Sequence, residues 1–272
     1  MLQLSRLVVE PFEFRYRSPL RVPELAYDVD PVRPRTRAFE AGRHPARPRR
    51  VTVEEDAMAE DVAGTDDLFE IIRTTRSMRR LRQDPVPDAL IRKILEAGVC
   101  APSGGNMQRW RFLVIRDATI KQTVGAYYKR AWDEVVAPRY RAGEPAPRMD
   151  RDRFLRLLAA AEHLAAHIHE APVWIVPCLQ GDAPTRTAGS SIYPAVQNML
   201  LAARALGLGA TLTTLYLSFE KEAEAALGLP ADWRSYAILP IGYPMGRFGP
   251  VRRVALADVV FEDRWGQAYR DL

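Results

Sequence analysis

At 272 residues with 47% hydrophobic side chains, the chain is long enough for one large domain or two small ones around a sizeable core. No run reaches the roughly 18 uncharged apolar residues of a membrane span, and no compact apolar segment of signal-peptide type opens the sequence, so a soluble cytoplasmic protein is the expectation. The net charge of +5 is no nucleic-acid signature: residues 1–50 carry 11 Arg against 6 Asp plus Glu, leaving 28 of each sign beyond them.

Residues 1 to about 65 hold seven of the 21 prolines and no sustained periodicity. Segments such as His44-Pro45-Ala46-Arg47-Pro48-Arg49-Arg50 cannot bury enough apolar surface to offset ordering entropy, so disorder is expected there. Met58 precedes a short acidic stretch and the first helical pattern, and translation from Met58 is one reading of this leader. A basic arm for anionic partners is the other.

The domain expected over residues 66–272 opens with an amphipathic run, Leu68, Ile71, Ile72, that reads as a helix over 67–78. It closes on Arg76-Ser77-Met78-Arg79-Arg80, where arginine forks and a serine hydroxyl suit phosphate and carbonyl oxygens. A solvated basic helix end would look the same. A second helix is expected over 88–100. After it, Ala101-Pro102-Ser103-Gly104-Gly105-Asn106-Met107-Gln108-Arg109-Trp110 offers small, hydrogen-bonding residues that let backbone approach a flat polar ligand. An ordinary helix-to-strand loop has the same composition.

Beyond it the patterns read as strand 111–116, helices 118–137 and 151–168, strand 173–179, helix 190–206, strand 209–216, helix 219–227 and strand 235–242. The strands are short apolar runs such as Val173-Trp174-Ile175-Val176, of the kind buried on both faces. The helix at 190–206 is small and apolar nearly all round, which marks it as buried. Gly207-Leu208-Gly209 lacks the third glycine of a dinucleotide fingerprint and reads as a helix C-cap running into a strand. No Gly-x-Ser-x-Gly elbow or phosphate-binding Gly-Lys-Ser/Thr loop occurs, against a serine hydrolase or an NTPase.

Cys100 and Cys178 both sit in apolar sequence and are expected to be reduced, buried thiols. His163 and His167 are one helical turn apart, but the His-Glu-x-x-His order of zinc proteases is absent, and surface histidines are expected rather than a metal site.

In order and spacing, Arg76-Ser77-Met78-Arg79, Pro85-Val86-Pro87, Ala101-Pro102-Ser103 through Trp110-Arg111-Phe112, Gly207 to Thr211, Gly242-Tyr243-Pro244 and Arg252-Arg253 resemble the FMN-dependent nitroreductase family. The resemblance runs from about Asp67 to the C-terminus. It implies an α+β fold, a three-layer sandwich with a mostly antiparallel sheet covered by helices, in an intertwined homodimer with FMN at the subunit interface. It places the helix at 190–206 at the dimer centre. By similarity Ser77 and Arg253 hold the FMN phosphate and Arg79 faces the pyrimidine edge of the flavin. Pro102, Ser103, Gly104 and Asn106 line the ring from the partner subunit, and the segment holding Thr213 and Thr214 falls at N5 and O4.

Three departures from the family accompany these matches. Thr75 stands where a further arginine is common, so Arg76 or Arg252 must supply phosphate charge; Arg109 replaces the proline of a Gln-Pro-Trp run. The threonine pair resembles the iodotyrosine deiodinase branch, in which a hydroxyl at N5 favours one-electron chemistry. The region of the substrate lid, about 120–155, shows no match to that branch's Glu, Tyr and Lys. Its Tyr127, Tyr128, Trp132 and Tyr140 either stack on a flat substrate or pack an ordinary amphipathic helix. The implied activity is NADH- or NADPH-dependent reduction of nitroaromatic, quinone or similar small conjugated acceptors by a ping-pong scheme. Reductive dehalogenation and flavin binding without turnover are the alternatives.

Overall fold

The computed structural model describes residues 64–142, 149–181 and 185–270. The leader up to residue 63, and with it the expectations of disorder and of a start at Met58, lies outside the described residues.

The sheet is built on β2 (Val173–Gln180), whose residues Val173 to Leu179 are all buried, as its unbroken apolar run requires. Every pairing is antiparallel. β1 (Trp110–Ile115) flanks β2 on one side; β4 (Trp233–Ser235) and β5 (Leu239–Gly242) share the other, and β3 (Gly209–Ala210) pairs with β5.

Alternation along β2 sorts the core into two layers. Trp174, Val176 and Cys178 face a cluster with Val124, Tyr128 and Trp132 of the long helical stretch that begins with α3 (Ala118–Ala131). That cluster also holds Leu164 of α5 (Arg151–His167) and Ala223 of α7 (Glu220–Ala226). Val173 and Ile175 face Ile91 and Ile94 of α2 (Asp88–Val99) and Val196 and Met199 of α6 (Arg186–Ala205). Helices therefore cover both faces of an antiparallel sheet, the three-layer α+β sandwich expected from the sequence.

Element boundaries differ from the expectations where backbone chemistry intervenes. The helix expected over 67–78 is α1 (Leu68–Thr74), capped by Asp67, whose carboxylate accepts from the Glu70 N–H at 2.9 Å. It stops because Thr74 and Thr75 turn their hydroxyls back to the Glu70 and Ile71 carbonyls (2.7 and 2.6 Å) and Thr75 is extended. The strand expected over 235–242 is interrupted. Residues 236–238 face only residues 176–177 of β2, a one-residue bulge beside Pro177, which has no N–H for the ladder. The strand expected over 209–216 pairs only at Gly209–Ala210 and again at Thr213, because Thr211 and Leu212 turn into a cavity. The helix expected over 118–137 continues through a π turn at Trp132–Val136 into α4 (Ala137–Ala142).

α6 begins at Arg186, earlier than expected, with Thr185 as its cap. It ends in the glycine cap read from the sequence: Gly207 (φ 74°) donates to the Arg204 carbonyl and Leu208 to that of Ala203. The helix is not buried all round. Ile192, Ala195, Val196 and Met199 pack inward, while Arg186, Thr187, Ser190, Tyr193 and Gln197 form an exposed stripe.

Candidate functional site

A cavity of about 610 Å³ opens where the C-terminal end of α1, the C-terminal half of α6 and the chain near residue 250 meet. Arg76 and Ser77 line it, and the next residue, Met78, donates its N–H to the Ala210 carbonyl at 3.0 Å. Met78 is buried between an exposed Ser77 and a half-buried Arg79, and Arg79 does not line the cavity. The Val251 N–H donates to the Arg73 carbonyl at 3.0 Å, which brings Arg253 to the same cavity. Arg73, Arg76, Arg204 and Arg253 line it with Ser77 and Thr211, and among the described lining residues there is no Asp or Glu. Leu200, Leu208, Leu212 and Phe248 supply apolar wall. A donor-rich, carboxylate-free cavity of this kind suits a ligand that joins an oxyanion to an apolar body.

Ser103 and Gly104 line a second cleft of about 420 Å³ with Gln108, Arg109, Thr187 and Ser191. Its loop is held in an unusual backbone: Gly105, Asn106 and Gln108 have φ of 57°, 53° and 49°. Side chains support it, the Ser191 hydroxyl accepting from the Gly104 N–H (3.1 Å), Ser103 from Gln108 N–H (3.1 Å), and the Asn106 side-chain oxygen from Gln108 Nε2 (2.9 Å). Pro102 and Asn106 are exposed beside the cleft without lining it. The cavity and the cleft share no lining residue, and the exposed stripe of α6 contributes Gln197 to the first and Thr187 to the second.

Several residues singled out in the sequence sit differently in the fold. Tyr128 and Trp132 are 3% and 2% exposed and pack in the core, where the helix turns them onto β2. The Tyr128 hydroxyl lies 2.7 Å from Thr213 Oγ1, so Thr213 points into the core with it, and the cavity wall comes from Thr211 and Leu212 instead. Burial pushes the Tyr128 phenol up, opposed by the Thr213 bond and by the nearby charge of Arg79. Thr214 is exposed. Tyr127 packs on Phe219, and Tyr140 stacks between Trp132 and Phe154. Arg252 is exposed outside the cavity, its carbonyl accepting from the Arg253 guanidinium at 3.1 Å. Sequence reading missed Gln197, Arg204 and Phe248; the available signal was a charge at Arg204 in step with the buried Val196, Met199 and Ala203 of α6.

The cysteines separate. Cys178 is buried, and burial with the neighbouring Glu224 pushes its thiol up to about 12, whereas Cys100 is exposed, since it falls past the end of α2 on the face away from Gly98. A thiol reagent at pH 8 should modify one thiol per native chain, at Cys100, and Cys178 only after denaturation. Peptide mapping after timed alkylation reads this directly.

The His163 and His167 rings stack at 4.4 Å, and His167 Nδ1 lies 2.8 Å from Glu170 Oε1, whose other oxygen accepts from Gln83 Nε2 at 3.0 Å. Among the described residues no group of three or more metal-ligating side chains converges. The His167 bond, aided by Gln83, holds the Glu170 carboxyl below its ordinary 4.5. A depressed carboxylate stabilises the fold fully above its unfolded value and loses that contribution as pH falls through the folded one. The stability gap between wild type and Glu170→Gln should therefore be present above the ordinary carboxylate value of 4.5 and close as pH falls below it, as read by urea melts across that range.

The fold is thus an α+β sandwich, an antiparallel sheet between helical layers, with arginines gathered beside the C-terminal end of α6. Residues 72–243 match the model of the nitroreductase family, and the chain belongs to that family. It is 34% identical over 205 residues to an NADH dehydrogenase of Thermus thermophilus, covering 68% of this chain and 90% of the relative. It is 30% identical over 187 residues to a 5,6-dimethylbenzimidazole synthase of Rhodospirillum rubrum, with coverages of 68% and 85%. It is 27% identical over 177 residues to an iodotyrosine deiodinase of Thermotoga neapolitana, with coverages of 65% and 88%. Among solved structures, a chain described as a nitroreductase in complex with FMN, from Desulfovibrio desulfuricans, superimposes with a TM-score of 0.52 at 31% identity, covering 74% of this chain and 98% of that one. Among the described residues no helix is long and apolar enough to cross a membrane.

Proposed function

We propose that this chain is an FMN-dependent oxidoreductase that takes reducing equivalents from NADH or NADPH and passes them to a small conjugated acceptor such as a nitroaromatic or quinone. The observation that carries the reading is the convergence of the adjacent Arg76 and Ser77 with Arg253, far along the chain, on one cavity whose described lining holds no carboxylate. The cavity chemistry fits FMN, with guanidinium groups and a serine hydroxyl for the phosphate and Leu200, Leu208 and Leu212 for the apolar body. When bound, FMN supplies the hydride and electron chemistry. The chain's own residues bind and orient it: Arg76 and Arg253 neutralise the phosphate, Ser77 donates to it, and Arg79 offers a cation to the pyrimidine edge.

The working unit is proposed to be a cytoplasmic homodimer in which Pro102, Ser103, Gly104 and Asn106 of one copy complete the cavity of the other. Three observations support this. The cavity and the Ser103–Gly104 cleft are separate in one chain, and the α6 stripe between them is exposed with Tyr193 at 42%. One copy also leaves Phe69 (67%), Leu256 (61%) and Trp265 (92%) exposed, the apolar surface expected of an interface.

The test is the anaerobic visible spectrum of the purified chain before and after NADPH. A bound-flavin spectrum that bleaches agrees with the proposal. Bound flavin that resists nicotinamides favours the deiodinase-like or non-catalytic reading, and a chain that cannot be loaded with FMN overturns the reading altogether.

A further inference from the structure

We propose that Arg204 is a positioning residue for the phosphate end of the cavity, setting the spacing between its two anion-binding segments; the proposal rests on the FMN reading above. Arg204 sits in the last turn of α6 and is 5% exposed, so its charge requires partners. Its Nε donates to Thr74 Oγ1 at 2.8 Å and a terminal nitrogen donates to Glu70 Oε1 at 3.3 Å. Its guanidinium lies over the Phe248 ring at 4.2 Å.

These partners belong to separate pieces of chain. Thr74 ends α1 two residues before Arg76, and Phe248 stands five residues before Arg253. One guanidinium thus ties α6 to the segment bearing Arg76 and Ser77 and to the segment bearing Arg253, across the cavity that all of them line. The Thr74 hydroxyl is fixed in this role: it gives its proton to the Glu70 carbonyl at 2.7 Å and so offers Arg204 only lone pairs. A planar fork with an aromatic stack is the geometry that arginine supplies and lysine does not.

A merely structural arginine and a positioning one differ in what they do to two ligands that differ only in the phosphate. Dissociation constants of the full-length chain for FMN and for riboflavin are measured by flavin fluorescence quenching in wild type, Arg204→Gln, Arg204→Lys and Phe248→Leu. In Arg204→Gln, FMN affinity should fall about tenfold or more while riboflavin affinity changes by less than about twofold; Arg204→Lys, which restores charge without the fork, should fall between. Phe248→Leu keeps the ion pair and removes the stack, and should lower the FMN-to-riboflavin ratio in the same direction. If Arg204→Gln does not fold, Phe248→Leu decides. Equal loss for both ligands, or an unchanged ratio, overturns the assignment of Arg204 alone. A wild-type chain that binds neither flavin overturns the FMN reading and this proposal with it.

Discussion

Replacing Arg253 by Gln should weaken FMN binding about tenfold or more, Arg76→Gln should act in the same direction, and the two together should weaken it further. The expectation follows from the cavity itself. Both side chains line it, no lining carboxylate competes for them, and a phosphate dianion gains from each guanidinium a charge-assisted bond that glutamine cannot replace. Both arginines are exposed, so their attraction is screened by salt. Wild-type affinity should therefore decline as ionic strength rises, and the decline should be shallower in each variant. Flavin fluorescence titrations at several salt concentrations measure both effects. A variant that binds FMN as tightly as wild type would place the phosphate elsewhere.

Replacing Gly209 by Val should destabilise the fold by about 1–3 kcal/mol, the usual cost of overpacking, and lower FMN affinity as well. A Cβ at this position would stand 2.8 Å from Leu81 Cδ2, 3.0 Å from Met78 Cβ and 3.1 Å from Pro244 Cβ. The Leu81 methyl can swing aside. Met78 Cβ cannot move without its backbone, which is tied to Ala210 by the Met78 N–H and carries Ser77 and Arg79 on either side. The strain is thus delivered to the cavity edge as well as to β3. Gly246→Ala is the control, since an added Cβ there meets nothing within 4 Å. Urea melts and FMN titrations of the two variants should separate: loss of both stability and affinity at 209, neither at 246.

The family and the layer order were legible in the sequence because their signals are local. The Arg76-Ser77-Met78-Arg79 run, the proline-serine-glycine loop after α2 and the doubly apolar run of β2 each need only a few adjacent residues to be recognised. The glycine cap at Gly207 is equally local, since the left-handed backbone and its two hydrogen bonds lie within five residues. Arg76, Ser77 and Arg253 were named from sequence, and the fold brings them to one cavity.

What the sequence left open were the facings and pairings that distant residues decide. Helical spacing alone permits Tyr128 and Trp132 either to face a substrate or to pack; β2 and Thr213, far along the chain, draw them into the core. Cys100 and Cys178 have similar apolar neighbours in sequence, yet one lies past a helix end and the other on the central strand, so only packing separates an exposed thiol from a buried one. Arg204 reads as one more charge on an amphipathic helix until Glu70, Thr74 and Phe248 close around it. By itself the sequence determined the family and most of the elements, and it named Arg76 and Arg253, because propensity, periodicity and short motifs act over a few residues. Only the tertiary structure decided which cations meet in one cavity and which aromatics are core, because those contacts join segments 85 residues apart at Tyr128 and Thr213 and 134 apart at Glu70 and Arg204.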